Sequence, residues 1–260
     1  MRSENTNQPD IKEYAASSIR YRLTSDFITV IIRIVEKLIN LVLPRQLIFE
    51  NEKFVWIKEI EKKYPQILDE FNRFSSETGK LPDLGKISEE ELRLVKLNQW
   101  KFIPLYIYGN KINFICDKLP FTTQAVEGIP DLSTAFISLL SPHAKISEHR
   151  GTFRGYLRYH LGLQIPEPYT SCGLQLEEEL IQWQNGKSIV FDDTYLHCAW
   201  NNSNELRAVL WVDFIRPLPY PLRKASMFVT KLISASPYVQ NILAGLMKYK
   251  FDPEMTGIFK

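Results

Sequence analysis

The chain has four histidines, and all of them, His143, His149, His160 and His197, fall between residues 143 and 197. Neutral imidazole coordinates transition metals, Fe(II) among them, and a guanidinium grips a carboxylate through paired N–H donors. Alternation along a strand from Tyr156 puts Tyr156, Arg158 and His160 on one face and Leu157, Tyr159 and Leu161 on the other. An arginine buried in a sheet is costly unless an anion meets it, and a protein carboxylate or a bound ligand would serve equally. In a second segment, 191–214, His197 lies just past one strand and Arg207 opens the next, sharing a face with Val209, Trp211 and Asp213. Two imidazoles from separate strands, with arginines nearby, suit a mononuclear metal that shares its pocket with a dianion. Spacing alone equally allows histidines that are merely hydrogen-bonded in a core.

The elements that must position these residues are short. From Trp100 onward, runs such as WKFIPLYIY, AFISLL, YLRYHLGLQI, SIVFDD and RAVLWVDFI are rich in aromatic and β-branched residues and are bounded by turns. About seven such strands imply an antiparallel sandwich or jelly roll. Asn185-Gly186, between LQLEEELIQW and KSIVF, predicts a two-residue hairpin. Asp192 and Asp193 read as bracing a loop, and Asp213 and Arg216 as a pair on the last strand. His143 reads as a surface loop residue, and Glu148 as a solvated carboxylate.

Before the strands, Phe27 to Leu43 is apolar over 17 residues but carries Arg33, Glu36 and Lys37. It reads as an amphipathic helix, either packed on the domain or lying on a membrane surface, rather than a transmembrane span. Residues 52–74 predict two helices, the second opened by Pro65. A loop over 75–86 leads to a short helix in SEEELRLV. After PLPYPLR, the segment from Arg216 to Lys260 has seven Lys+Arg and two Asp+Glu, in one or two helices. The organisation expected is an N-terminal segment 1–50, a catalytic domain 51–220 and a basic helical tail 221–260.

Composition bounds the function classes. The 260 residues carry 32 Lys+Arg against 30 Asp+Glu, too balanced for a nucleic-acid-binding field. Cys116, Cys172 and Cys198 form neither a disulfide framework nor a zinc ribbon. With no signal-peptide pattern at the N-terminus, a reducing, cytoplasmic setting is expected, with peripheral membrane contact as an option.

Three motifs then stand together: H-R-G-x-F-x-G-x-L-R-Y-H-L-G-L from His149, W-x-x-G-K-x-x-x-F-D-D-T-x-x-H-x-x-W-N from Trp183, and R-x-x-L-x-x-D-x-x-R-P from Arg207. They resemble the aspartyl/asparaginyl β-hydroxylase family of Fe(II)- and 2-oxoglutarate-dependent oxygenases, specifically over about residues 100–217. The resemblance implies an α+β fold with a mainly β core, a cupin-like double-stranded β-helix flanked by N- and C-terminal helices. It implies His149 and His197 as iron ligands, and Arg207 paired with a 2-oxoglutarate carboxylate. Arg158, His160, Ser138 and, on a less distinctive stretch, Trp100 would complete the cosubstrate pocket. O2 would be the other cosubstrate, with succinate and CO2 as products alongside a hydroxylated C–H bond.

Most enzymes of this chemistry carry a carboxylate ligand two residues after the first histidine, where this chain has Gly151. The resemblance implies two protein ligands and a water. Halogenation at the vacant position is the alternative chemistry, and a non-catalytic jelly-roll binding module the alternative class. Family members act on Asp or Asn in proteins, on amino-acid units or on lipid acyl chains, so a peptidyl, an amino-acid and a lipid substrate are all expected candidates, with nucleic acid excluded.

Overall fold

The computed structural model describes residues 11–77, 96 and 99–250. A long helix α1 (Ile11–Val42) leads into β1 (Ile48–Phe49), α2 (Trp56–Lys62) and α3 (Tyr64–Glu77), with Pro65 in its first turn as expected. Then come β2 (Trp100–Ile107), β3 (Asn110–Lys111), α4 (Asn113–Cys116) and α5 (Pro120–Glu127). Eight strands follow: β4 (Leu132–Leu140), β5 (Ala144–His149), β6 (Tyr156–Gln164), β7 (Cys172–Leu176), β8 (Glu179–Ile181), β9 (Ser188–Phe191), β10 (His197–Asn201) and β11 (Arg207–Ile215). Helices α6 (Tyr220–Ser234) and α7 (Pro237–Lys250) end the described chain. The segment SEEELRLV and most of its preceding loop lie outside the described residues.

Two antiparallel sheets face each other. The larger runs β1-β9-β6-β11-β4-β2-β3 and the smaller β5-β10-β7-β8. This is a double-stranded β-helix of the cupin jelly-roll type. Strands β4, β6 and β11 are buried almost throughout, because helices cover one face of the larger sheet and the smaller sheet covers the other. β5 instead alternates buried and exposed positions over residues 144–147, as a strand with one wet face must. One core cluster joins the larger sheet to the helices through Val35, Ile39, Ile57, Phe71, Val229 and Ile242. A second, between the sheets, holds Trp100, Ile146, Leu174, Trp183, Phe191 and Val209. The chain's two helical ends thus share the core of the sheet region.

The hairpin expected at Asn185-Gly186 does not form. Gly186 does take a positive φ of 71°, but β8 and β9, on either side, belong to different sheets. β9 pairs with β6 and β1 instead, so partners distant in sequence outweigh the local turn preference. The hairpin lies earlier, where Glu177, at φ 50°, joins β7 to β8. The Asp213–Arg216 pair is likewise absent. Arg216 falls just past the end of β11, and Asp213 bonds Arg158 while Arg216 bonds Asp192.

Arg154 fastens α1 to the sheets. Its backbone N–H donates to Glu36 (2.9 Å), and its guanidinium donates to Asn40, to the Pro44 carbonyl (3.0 Å) and to the Tyr195 hydroxyl (3.3 Å). Burial raises the Glu36 carboxyl above its usual range, against the pull of Arg154. Replacing Arg154 with Ala removes the guanidinium contacts and is expected to cost about 1–3 kcal/mol in urea unfolding. Amide hydrogen exchange over residues 33–44 should then rise more than exchange in β4 or β11; equal change throughout would contradict this local role.

Candidate active site

A cavity of about 760 Å³ opens between the sheets and extends to α1, α6 and α7. Its inner end holds every sequence-predicted site residue: Trp100, Ser138, His149, Arg158, His160, His197 and Arg207. The two-residue strand period explains the selection. Arg158 and His160 on β6, and Arg207, Trp211 and Asp213 on β11, all face inward. His143 is exposed on a turn, where it bonds Asn204, and Glu148 is exposed.

His149 and His197 are register partners across the β5–β10 ladder, with ring centroids 4.1 Å apart. Each ring bonds the backbone carbonyl two residues earlier, His149 Nδ1 to Ser147 at 2.8 Å and His197 Nδ1 to Tyr195 at 2.9 Å. A carbonyl can only accept, so Nδ1 carries the proton and Nε2 keeps its lone pair. Burial holds both rings below the usual histidine range. His197, also repelled by His149 and Arg158, is brought down to about 3. Two neutral imidazoles with lone pairs free make a donor set for a transition metal. Among the described residues, no cluster of three His, Cys, Asp or Glu could hold a metal.

Gly151 explains the missing third ligand. A β-carbon at 151 would fall inside the Asp193 carboxylate. Asp193 is itself held by Arg158 at 2.7 Å. The same guanidinium bonds Asp213 at 2.9 and 3.1 Å and lies 3.9 Å from the Trp211 ring centroid. Burial opposes the charge on Arg158, and the two aspartates outweigh it. Of the two anions open to Arg158 in the sequence, the protein supplies the carboxylates.

Arg207 is different. It is 2% exposed, has no acidic partner among the described residues, and burial lowers its pKa to about 10. Its guanidinium stands 4.9 Å from the Trp183 ring centroid and reaches Ser138 Oγ at 3.5 Å, while its Nε finds no acceptor. Trp100 Nε1 donates to the same Ser138 oxygen at 3.0 Å. His160 completes the group. Trp183 Nε1 donates to its Nδ1 at 3.2 Å, so a neutral ring carries its proton on Nε2, which is buried without a partner. Burial, then Arg158 and Arg207, keep that ring neutral, well below the usual range. An N–H on His160, an N–H and a positive charge on Arg207, and the Ser138 hydroxyl converge where a carboxylate would satisfy them.

Sequence reading put Trp211 on the Arg207 face but gave no role to it, to Trp183 or to the isoleucines of the outer cavity. Trp183 sets the His160 tautomer, Trp211 stacks on Arg158, and Ile28, Ile32 and Ile242 line the outer cavity. Trp183 was visible as the first residue of the second motif. The isoleucines carry no motif at all.

A family model for aspartyl/asparaginyl β-hydroxylases matches residues 61–217. The chain belongs to this family. Ornithine lipid ester-linked acyl 2-hydroxylase of Rhizobium tropici is 35% identical over 193 residues, covering 74% of this chain and 69% of that protein. Human aspartyl/asparaginyl β-hydroxylase is 25% identical over 176 residues, 66% of this chain but only 22% of that much longer protein. A Pseudomonas putida prolyl-4-hydroxylase structure overlaps 61% of this chain and 88% of its own, with a TM-score of 0.40 at 18% identity.

Replacing Arg207 with Met should stabilise the ligand-free protein by about 1–3 kcal/mol, since a buried cation without an anion is removed. Any thermal shift that a small dicarboxylate gives the wild type should be lost as well. A destabilised variant that keeps the shift would contradict this assignment. The histidines predict a pH effect. Their folded pKa values lie below the unfolded 6.5, so the unfolded chain takes up protons that the fold refuses. Stability is therefore full above pH 6.5 and falls as pH drops from 6.5 toward 3. His160→Gln should reduce that slope by about one proton, or about 1.4 kcal/mol per pH unit, in urea titrations of the metal-free protein.

Proposed function

We propose that the protein is an Fe(II)- and 2-oxoglutarate-dependent dioxygenase that hydroxylates an acyl chain of a lipid. The observation that carries the reading is the cavity itself: two lone-pair imidazoles and an anion-seeking arginine at its inner end, and aliphatic side chains from α1, α6 and α7 at its outer end. His149 and His197 would hold the iron. Arg207, Ser138 and His160 would hold a carboxylate of 2-oxoglutarate, with Trp100 fixing the serine. Bound together, iron and cosubstrate supply the oxidising power to replace an unactivated C–H hydrogen by hydroxyl, using O2 and releasing succinate and CO2.

The chain's own residues do the rest. Ser147 and Tyr195 lock the two imidazoles in the ligating tautomer, and Trp183 locks His160 in the donating one. Phe191, Trp183 and Trp211 wall the inner cavity with rings that exclude water, which strengthens each polar contact inside. Asp193 fills the room left by Gly151, so that side is no open anion position, and hydroxylation is favoured over halogenation. Ile28 and Ile32 of α1, with Ile233 and Ile242, give the outer cavity aliphatic walls suited to a hydrocarbon chain, beside Arg33 and Glu36 of the same helix. The Rhizobium relative, which acts on an ester-linked acyl chain by its name, supports the same choice.

With Fe(II), ascorbate and 2-oxoglutarate, purified protein should form succinate when given an ester-linked acyl lipid in detergent, and the lipid should gain the mass of one oxygen atom. His197→Ala should reduce turnover to background. Ile32→Trp should lower kcat/KM for long chains by about tenfold against short ones, as blocked methylene sites do. Oxidation of Asp-containing peptides but of no lipid would overturn the substrate class, and no 2-oxoglutarate consumption with any substrate would overturn the reaction.

A further inference from the structure

The side of α1 turned away from the core is apolar too. At about 100° per residue, Val35 and Ile39 point into the core, while Phe27, Val30, Ile34, Leu38 and Leu41 recur at steps of three and four on the other side. All five are exposed, Leu41 to 82%. A helix that only packs on a domain carries polar residues on that side, and a contiguous exposed stripe marks a contact surface. Arg33 and Lys37, both exposed, flank it, with one exposed acid, Asp26, on the same edge.

Helix α6 packs beside α1 and exposes Tyr220, Lys224, Phe228 and Lys231 along one face, with Lys224 Nζ 5.7 Å from the Tyr220 ring centroid. Neither α6 nor α7 contains an acidic residue. Aliphatic and aromatic side chains edged by cations complement acyl chains beneath anionic headgroups. A second copy of this chain is a poorer fit, since it would bring cations against cations. Among the described residues no helix is long and apolar enough to cross a membrane.

We propose that α1 lies in the plane of an anionic phospholipid bilayer, its Phe27–Leu41 stripe among the acyl chains and Arg33, Lys37 and the α6 lysines at the headgroups. The other side of the same helix gives Ile28 and Ile32 to the cavity, so docking brings the passage to the level of the hydrocarbon. An acyl chain then enters without crossing water. That last step rests on the acyl-hydroxylase reading; the docking itself does not.

The test is flotation of the full chain with vesicles of phosphatidylcholine alone and of phosphatidylcholine with phosphatidylglycerol. The wild type should float with the mixed vesicles, less so at high salt, and the double variant Ile34→Asp, Leu41→Asp should lose about tenfold in binding or more. Both positions are exposed, so its melting temperature should stay unchanged, and so should succinate formation on a water-soluble short-chain acyl ester. Turnover of vesicle-borne lipid should fall with binding. As a second variant, Lys37→Gln with Lys231→Gln should weaken binding only to the anionic vesicles. Wild-type protein that ignores anionic vesicles, a double variant that still binds, or a solution dimer that the double variant dissociates would overturn the docking. Failure to oxidise the soluble ester, with flotation intact, would instead overturn the acyl reading.

Discussion

Asp192 and Asp193 leave β9 on opposite sides of the chain, and each meets a buried guanidinium. Asp193 points into the cavity and holds Arg158 (2.7 Å), which in turn bonds Asp213 on β11. Asp192 points the other way, bonds Arg216 and lies 3.6 Å from Arg154, the residue that clasps α1. Asp192 also accepts from the Thr194 N–H and hydroxyl, which shapes the turn that delivers His197. One dipeptide therefore ties the loop before His197 to the larger sheet on one side and to the N-terminal helix on the other. Either carboxylate left alone would be costly to bury, so loop, sheet and helix hold position together.

Within that frame, desolvation acts on the histidines and arginines of the inner cavity, and the answer differs with the partner at hand. Arg158 keeps its charge by pairing inside the protein, and Arg207 keeps its charge with none. His149 and His197 give up their charge and turn lone pairs to the cavity; His160 gives it up and turns an N–H. None of these states is intrinsic to the residue type. Burial takes the charge from the three imidazoles, and the neighbour decides which nitrogen keeps the proton, a carbonyl for His149 and His197 and an indole N–H for His160.

What the sequence discloses depends on how local the determinant is. Alternation over Tyr156–His160 and Arg207–Asp213 is a property of the strand and placed six side chains, Tyr156, Arg158, His160, Arg207, Trp211 and Asp213, on the cavity face. Gly151, two residues after His149, announced a missing ligand. The partner of Asp213, by contrast, is 55 positions away, and no spacing along β11 could name it. Asn185-Gly186 misled because Gly186 obeys its local preference while β9 answers to β6 and β1. For α1, the same apolar periodicity fits a packed helix and an interfacial one, and the structure shows two apolar sides on one helix.

The outer wall of the cavity joins Ile28 and Ile32 to Ile233 and Ile242, residues from opposite ends of the described chain. During synthesis the strands emerge in order and can begin to pair, yet the wall cannot close until residue 242 has been made and has found a helix produced some two hundred residues earlier. The inner polar groups therefore exist before the passage that leads to them. A chain stopped after β11 would retain His149, His197, Ser138 and Arg207 while lacking the passage, and so would separate the inner polar groups from the walls that lead to them.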